Sequence, residues 1–453
     1  MNLFEKLVDI IHDSSRVTTN QTIIEQHGKG LAYHAPHNPD VVVFIKTREE
    51  VSRVVSFANE NKIPVVPFGA GSSLEGHIIP IYGGISLDFS LMNEIISVHH
   101  DDFIVKVQPG VTRNQLNKEL KKYGLFFPVD PGADATIGGM SATNASGTNC
   151  VKYGCMRDQV LGLEIVMADG SIVNTGGMAI KSSAGYDLTG LFVGSEGTLG
   201  VFTEIILRLQ GIPEETVAIK ALFPSIEVAG DASSMLLNSG VEVGKIELVD
   251  GGTMKAVNSY KQTSFPEQAT LFIELSGSPE AVKYDVELTK EVVMSAGCTS
   301  FKFETDSIAR SKLWEARHHI AFAILAANPG KGLYSTDVCV PISELPGAIV
   351  ETRKIVEEYG VEAGIFGHVG DGNYHSVVAV DGSDEKQIEL METIHHRIVS
   401  YALEKGGTCT GEHGIGLGKK LFLKEEHGES LELMLSIKRT FDPNNILNPG
   451  KIF

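Results

Sequence analysis

The run Val41-Val42-Val43-Phe44-Ile45 leads through Thr47-Arg48-Glu49-Glu50 to Ile63-Pro64-Val65-Val66-Pro67-Phe68-Gly69-Ala70-Gly71-Ser72-Ser73-Leu74-Glu75-Gly76, and this stretch decides the fold. The first run is short and β-branched, as a buried strand is. The polar segment after it carries acid in its first turn, and Val51, Val54, Val55 and Ala58 share one helical face. A second apolar run then ends in small residues. Strand, helix, strand and glycine-rich turn make a βαβ unit that opens onto a ligand. The turn departs from the dinucleotide fingerprint, because Gly76 follows Gly71 by five residues rather than three, and it lacks the Gly-Lys-Ser/Thr of a P-loop. Its backbone N–H groups and two serine hydroxyls can still face phosphate oxygens. Alone, such a loop is as readily a plain turn.

Outward from this unit, glycine is in excess: 48 of 453 residues, against a usual share of about 7%. The glycines are clustered between apolar segments, which suggests backbone packed close to a ligand. Pro131-Gly132-Ala133-Asp134-Ala135-Thr136-Ile137-Gly138-Gly139-Met140-Ser141-Ala142-Thr143-Asn144-Ala145-Ser146-Gly147 is built almost wholly of small residues. Main chain of that kind can approach a flat, extended ligand along its length. A third cluster, Gly194-Ser195-Glu196-Gly197-Thr198-Leu199-Gly200-Val201, stands between two apolar stretches.

Near Gly211-Ile212-Pro213 the texture changes to strands alternating with amphipathic helices. Leu271–Leu275, Pro279–Ala296 and Ser300–Phe303 read as strand, helix, strand, and so do Leu333–Val340, Ser343–Tyr359 and Ala363–Val369. Ile388, Met391, Ile394, Ile398 and Ala402 mark a further helix, stopped by Gly406-Gly407. The expected organisation is an N-terminal helical segment (1–35), a ligand-binding domain (36–214), an α+β domain with an antiparallel sheet (215–408) and a C-terminal segment (409–453) returning to the earlier domain.

Charge and composition exclude several classes. Lys and Arg number 38 against 57 Asp and Glu, a balance of −19 with no basic block, so nucleic acid is not an expected partner. The chain opens without a basic segment and apolar run of the secretory kind, and no apolar stretch approaches the ~20 residues of a membrane helix. Five cysteines (150, 155, 298, 339 and 409) form no paired framework. A cytoplasmic location follows as the expectation, with peripheral attachment to a membrane through a partner also allowed.

The sharpest chemistry lies at Gly367-His368-Val369-Gly370-Asp371-Gly372-Asn373-Tyr374-His375 and Gly411-Glu412-His413-Gly414-Ile415-Gly416. With Gly370–Asn373 as a four-residue turn, Val369 pairs with Tyr374 and His368 with His375. Two imidazoles at that spacing can share one ion, and a Glu-His pair flanked by glycines adds a carboxylate. Such ligands suit zinc, manganese or iron, and three of them leave positions open for substrate.

With Tyr153–Asp158 and Gly185-Tyr186-Asp187-Leu188 added, these segments resemble the FAD domain of the vanillyl-alcohol oxidase/p-cresol methylhydroxylase superfamily, in its branch of glycolate oxidase and D-lactate dehydrogenase flavoproteins. The resemblance spans nearly the whole chain. It implies an α+β fold: a two-subdomain FAD-binding domain of the p-cresol methylhydroxylase type plus an α+β cap domain. FAD would lie with Gly69, Ala70, Gly71, Ser72 and Ser73 on its pyrophosphate and with Ile137, Gly138, Gly139, Thr143, Asn144, Ser146 and Gly147 along the flavin and its phosphates, Pro67, Gly76, Pro131, Gly132 and Thr136 being further contacts. Glu196, Gly197, Gly200 and Val201 would lie near the adenosine side, with Asn448 as a further contact. No histidine stands inside the first loop, so the flavin is expected to be non-covalent. By the same resemblance His368, His375 and Glu412 hold the divalent metal, His413 is the catalytic base, and Arg317 in Leu313-Trp314-Glu315-Ala316-Arg317 grips a substrate carboxylate. Asn373 and Tyr374 are lesser candidates for orienting ligand or flavin. The 2-hydroxyglutarate-oxidising relatives carry a lysine near the position of Ser335; Leu333–Val338 is closer to the D-lactate type, which argues against a dicarboxylate.

The implied activity is an FAD- and metal-dependent dehydrogenase acting on a small D-2-hydroxy acid, D-lactate or glycolate first. The electron acceptor is left open among a quinone, a cytochrome, an electron-transfer flavoprotein and an iron–sulfur partner subunit. A homodimer is compatible with the sequence. Two rival readings are a metallohydrolase using the His/His/Glu ion and a non-catalytic flavin-binding subunit of an electron-transfer complex. The first leaves the small-residue clusters without a purpose, and the second leaves the metal motif without one.

Overall fold

The computed structural model describes residues 2–453; Met1 and the side chains of Ala316 and His318 lie outside the described residues. The chain forms two compact units. The first comprises the residues up to Ser146, Gly154–Ile212 and Glu412–Phe453; the second comprises Gly147–Tyr153 and Pro213–Gly411.

The opening βαβ unit folds as the pattern predicts. Strands β2 (Val41–Phe44) and β3 (Val65–Phe68) flank β4 (Ile85–Asp88) and run parallel to it, with β1 (Val17–Thr18) on the outer side of β2. Val43 and Pro67 both stand opposite Leu87. The crossover helix Arg48–Asn61 starts at Thr47, whose hydroxyl accepts the Glu50 N–H at 3.2 Å, and buries Val51, Val54, Val55 and Ala58 against the sheet. Each valine so buried contributes on the order of 1.5–3 kcal/mol. Glu50 is buried too, because Arg16 grips it bidentately at 2.7 Å through each terminal nitrogen.

A second sheet in this unit has strand order β5-β6-β10-β8-β9, all antiparallel: Ile95–His99, Ile104–Val107, Val201–Arg208, Val160–Val166 and Ile172–Gly176. A two-stranded pairing of β7 (Leu125–Phe126) with β11 (Gln210–Gly211) lies beside it in sequence. The short helix Ile137–Thr143 buries Ile137 and Met140 in the same core as Val105, Leu163 and Ile205.

The second unit is built on one antiparallel sheet of order β15-β12-β14-β13-β18-β19-β16. Its strands are β12 (Glu215–Phe223), β13 (Val243–Val249), β14 (Ala269–Gly277), β15 (Ser300–Glu304), β16 (Gly332–Ser335), β18 (Gly364–Gly367) and β19 (Asn373–Val380), with β17 (Val338–Cys339) pairing β19. The α+β architecture with an antiparallel sheet is therefore present. Two local details differ from the sequence pattern. The strands β14 and β15 are not neighbours, because β12 inserts between them. The strand expected over Leu333–Val340 is broken at Thr336-Asp337, where Thr336 takes over the pairing to Ser376 with backbone and hydroxyl. No helix among the described residues is long and apolar enough to cross a membrane.

Candidate active site

In the first unit the three small-residue clusters converge. A Cβ on Gly69 would stand 2.3 Å from the Thr136 hydroxyl, so the loop after β3 lies directly against the start of helix Ile137–Thr143. A Cβ on Gly197 would meet Pro67 at 3.2 Å, and Gly194 and Glu196 donate their N–H groups to the carbonyls of Ser141 and Ala142. Asn448 ties the clusters together, its side-chain amide donating to the carbonyls of Glu196 (2.8 Å) and His77 (3.1 Å). Around this junction the Ser73 and Ser195 hydroxyls are buried without a hydrogen-bond partner among the described residues. A Cβ on Gly132 would meet nothing within 4 Å. Orphaned buried hydroxyls where glycine-rich loops converge fit a polar ligand such as the diphosphate of FAD.

Several residues expected to touch flavin are occupied otherwise. Asn144, in the left-handed conformation at the helix end, accepts the Arg157 N–H at 2.9 Å. The Ser146 hydroxyl donates to Glu412 Oε2 at 3.0 Å. Glu196 is buried, with its two carboxylate oxygens receiving the N–H groups of Ile415 (2.7 Å) and Gly416 (2.9 Å) and with His77 3.3 Å away. Burial pushes the Glu196 carboxyl up, but the pull of His77 and these two backbone hydrogen bonds outweighs it and holds the group below its ordinary value. Glu196 thus pins the loop that follows Glu412-His413. Gly414 and Gly416 supply the bend there at φ of 77° and 48°, where the neighbouring groups are too close for a side chain. His413 stands 3.6 Å from Glu412 Oε1 through Nε2 and 3.9 Å from Glu75 Oε1 through Nδ1, and the fully buried Lys419 lies 3.3 Å from the same Glu75 oxygen.

In the second unit the histidine hairpin forms with a register different from the expected one. His375 stands opposite Phe366, not His368, because the four-residue turn lies one residue earlier, over Val369–Gly372: Asn373 and Asp371 both donate to the His368 carbonyl. The slip is two residues, which preserves the face each side chain occupies. The two imidazoles therefore still meet, diagonally, with ring centres 5.8 Å apart and planes perpendicular. His368 Nδ1 lies 2.5 Å from Glu247 Oε1, and Arg317 Nε lies 2.6 Å from Glu247 Oε2. Burial raises the Glu247 carboxyl, but the charges and hydrogen bonds of His368 and Arg317 outweigh it and keep the group below its usual range. The Arg317 guanidinium also lies 5.0 Å from the Phe366 ring centre.

His375 Nδ1 is 3.2 Å from the carbonyl of Thr336, and the buried Asp337 receives Asn373 Nδ2 (2.8 Å) and the Thr410 hydroxyl (2.7 Å). Gly411, the last residue of this unit, donates its N–H to the Asp337 carbonyl at 3.0 Å, and Glu412 is the next residue in the chain. Tyr374 is turned away from the histidines; its hydroxyl meets Thr352 at 2.9 Å and the Ala348 carbonyl at 3.2 Å, which makes it a packing residue. Sequence reasoning missed Glu247, Asp337, Glu75 and Lys419. A single Glu in Lys245-Ile246-Glu247-Leu248-Val249 has the ordinary alternation of a strand. Asp337 inside an apolar run was the one weak signal.

A flavin-binding fold with a histidine- and arginine-bearing antiparallel domain defines the class: an FAD-linked oxidoreductase. Family models agree, matching "FAD binding domain" over residues 39–176 and "FAD linked oxidases, C-terminal domain" over residues 212–452. A probable mitochondrial D-lactate dehydrogenase of Danio rerio is 44% identical over 96% of this chain and 88% of its own length. The mitochondrial D-lactate dehydrogenase [cytochrome] of Arabidopsis thaliana is 41% identical over 99% and 80%, and the glycolate oxidase subunit GlcD of Bacillus subtilis is 36% identical over 92% and 89%. The fold matches p-cresol methylhydroxylase at a TM-score of 0.76 and 18% identity, covering 99% of this chain and 96% of that one. The chain belongs to the FAD-linked oxidases, in the branch of D-lactate dehydrogenases and GlcD, and shares the fold of p-cresol methylhydroxylase. It is an FAD-linked hydroxy acid dehydrogenase, which gives the small-residue clusters a purpose that a metallohydrolase would not.

The cytoplasmic expectation is corrected. The Danio rerio and Arabidopsis thaliana relatives are named as mitochondrial, which points to a mitochondrion rather than the cytosol. No disulfide joins the five cysteines among the described residues, which fits a reducing compartment without saying which one.

Proposed function

We propose that the chain oxidises a small D-2-hydroxy acid, D-lactate or glycolate, to the 2-oxo acid with the help of a divalent cation. His368, His375 and Glu412 would hold that cation. Two imidazoles and a carboxylate suit zinc, manganese or iron, and the cation when bound would lower the pKa of the substrate hydroxyl. FAD when bound supplies the hydride acceptor at N5. His413 would take the hydroxyl proton on one ring nitrogen, with Glu75 on its Nδ1 side to favour the imidazolium that results. Arg317 would fix the substrate carboxylate through its Nη edge, since its Nε is already committed to Glu247.

One observation carries this reading: the His368 and His375 rings stand 5.8 Å apart in the unit that also carries Arg317, clamped to the same carboxylate as His368. Among the electron acceptors, a cytochrome is favoured by the name of the Arabidopsis thaliana relative. The test is an anaerobic titration of the purified flavoprotein with D- and L-2-hydroxy acids, with and without chelator. Bleaching by D-lactate or glycolate that chelator suppresses is expected. Bleaching unaffected by chelator would remove the cation, and no bleaching by any acid of the panel would remove the substrate.

A further inference from the structure

We infer that Glu247 is the shared positioning residue of the hydroxy-acid site, its single carboxylate setting both the imidazole of His368 and the guanidinium of Arg317. The inference rests on the proposed role of His368 as a metal ligand and of Arg317 as the carboxylate clamp.

Glu247 lies on β13, between Ile246 and Leu248 of the core, and is wholly buried. Leu248 pairs with Gly367 on β18, so Glu247 stands beside the point where the chain leaves that strand for His368. Its two oxygens are divided: Oε1 faces His368 Nδ1 at 2.5 Å and Oε2 faces Arg317 Nε at 2.6 Å. An ionised carboxylate can only accept, so both partners must donate. For His368 this assigns the proton to Nδ1 and leaves Nε2 as the atom with a lone pair, the form a cation requires. For Arg317 it holds the Nε edge, while Phe366 packs at 5.0 Å from the guanidinium carbon, and the Nη atoms make no hydrogen bond among the described residues. Phe366 is in turn the strand partner of His375. One buried acid thereby ties the orientation of a candidate metal ligand to that of a candidate substrate clamp.

A glutamine cannot reproduce this, because its amide offers one acceptor oxygen where two donors call for one each. In the FAD-loaded protein, Glu247→Gln is expected to lower the affinity for Mn²⁺, and separately for Zn²⁺, about 10–100-fold, the range seen when an outer partner of a ligating histidine is lost. It should also raise KM for the hydroxy acid more than it lowers kcat, with flavin content unchanged. Titration calorimetry of Mn²⁺ alone into wild type and variant reads the first effect without any turnover. Wild-type and variant affinities that agree would overturn the inference, as would a variant that loses thermal stability while metal affinity and KM stay put. A wild type that binds neither cation would instead overturn the metal reading beneath it. If Glu247→Gln does not retain flavin, Glu247→Asp carries the test: it keeps the charge but shortens the reach, and should recover part of the affinity relative to Glu247→Ala.

Discussion

His34 shows how much one side chain in this molecule can decide. It is packed against Tyr33, at 4.4 Å between ring centres, and its Nε2 lies 3.9 Å from Glu75 Oε2. Burial, with His77 and Lys451 adding repulsion, outweighs a hydrogen bond to the Leu74 backbone and depresses the imidazole to about 4 from an ordinary 6.5. The folded chain therefore refuses a proton that the unfolded chain accepts anywhere between those values. Stability on this account is full above pH 6.5 and is lost as the pH falls to about 4. Between pH 7.5 and 5 the loss amounts to about 2 kcal/mol at ~1.4 kcal/mol per pH unit below 6.5. Urea midpoints of wild type and His34→Gln at the two pH values check this. The variant should lose most of the acid sensitivity, and equal slopes would place its source elsewhere. The same scale explains why Glu196 is not available to a ligand: both its oxygens are consumed by backbone N–H groups.

At the scale of elements, the turn between β18 and β19 governs the histidine pair. Gly372 has φ of 86°, and a Cβ there would fall 2.0 Å from the Val340 carbonyl oxygen. Gly372→Ala would add about 1–3 kcal/mol of backbone strain before the clash is counted. The turn would have to move, and His368 with it. A lower urea midpoint and a reduced divalent-metal content are expected together, whereas Gly382→Ala, whose Cβ meets nothing within 4 Å, should leave both unchanged. A Gly372→Ala protein of undiminished stability and metal content would show the turn to be dispensable. This turn is also where the sequence misled. Glycines at 370 and 372 suggested a four-residue turn over Gly370–Asn373, whereas the hydrogen bond from Asn373 to the His368 carbonyl closes it one residue earlier, over Val369–Gly372. Because the slip is even, the histidines keep their face and their rings still meet.

On the scale of the whole chain, the first unit is closed by late residues folding into early structure. Val65 of β3 donates to the Ile446 carbonyl at 2.7 Å, and Asn448 donates back to the Val65 carbonyl at 2.8 Å, so the C-terminal segment extends the first sheet of that unit. Lys438 holds this return: its ammonium donates to the carbonyls of Thr198 (2.8 Å) and Leu447 (2.9 Å) and to Asp442. Replacing it with methionine leaves Asp442 buried without its cation, a loss of about 3–5 kcal/mol. Lys438→Met should melt earlier and carry less flavin per chain, read from the visible absorbance relative to that at 280 nm. Wild-type flavin content with unchanged melting would show that the segment is held by its other contacts.

The sequence by itself determined the elements whose cause is local. The run Val41–Ile45, the one-sided helix after it and the glycine turn at 69–73 are legible because burial, periodicity and turn chemistry all act within a few residues. The histidine and glutamate motifs at 368–375 and 411–416 were legible for the same reason. Only the tertiary structure decided that β12 separates β14 from β15, that Thr336-Asp337 breaks a strand, and that Glu247 sits between His368 and Arg317. Glu247 is 121 residues from His368 and 70 from Arg317, and pairing over such distances is set by how strands stack into one sheet, which leaves no local mark on the chain.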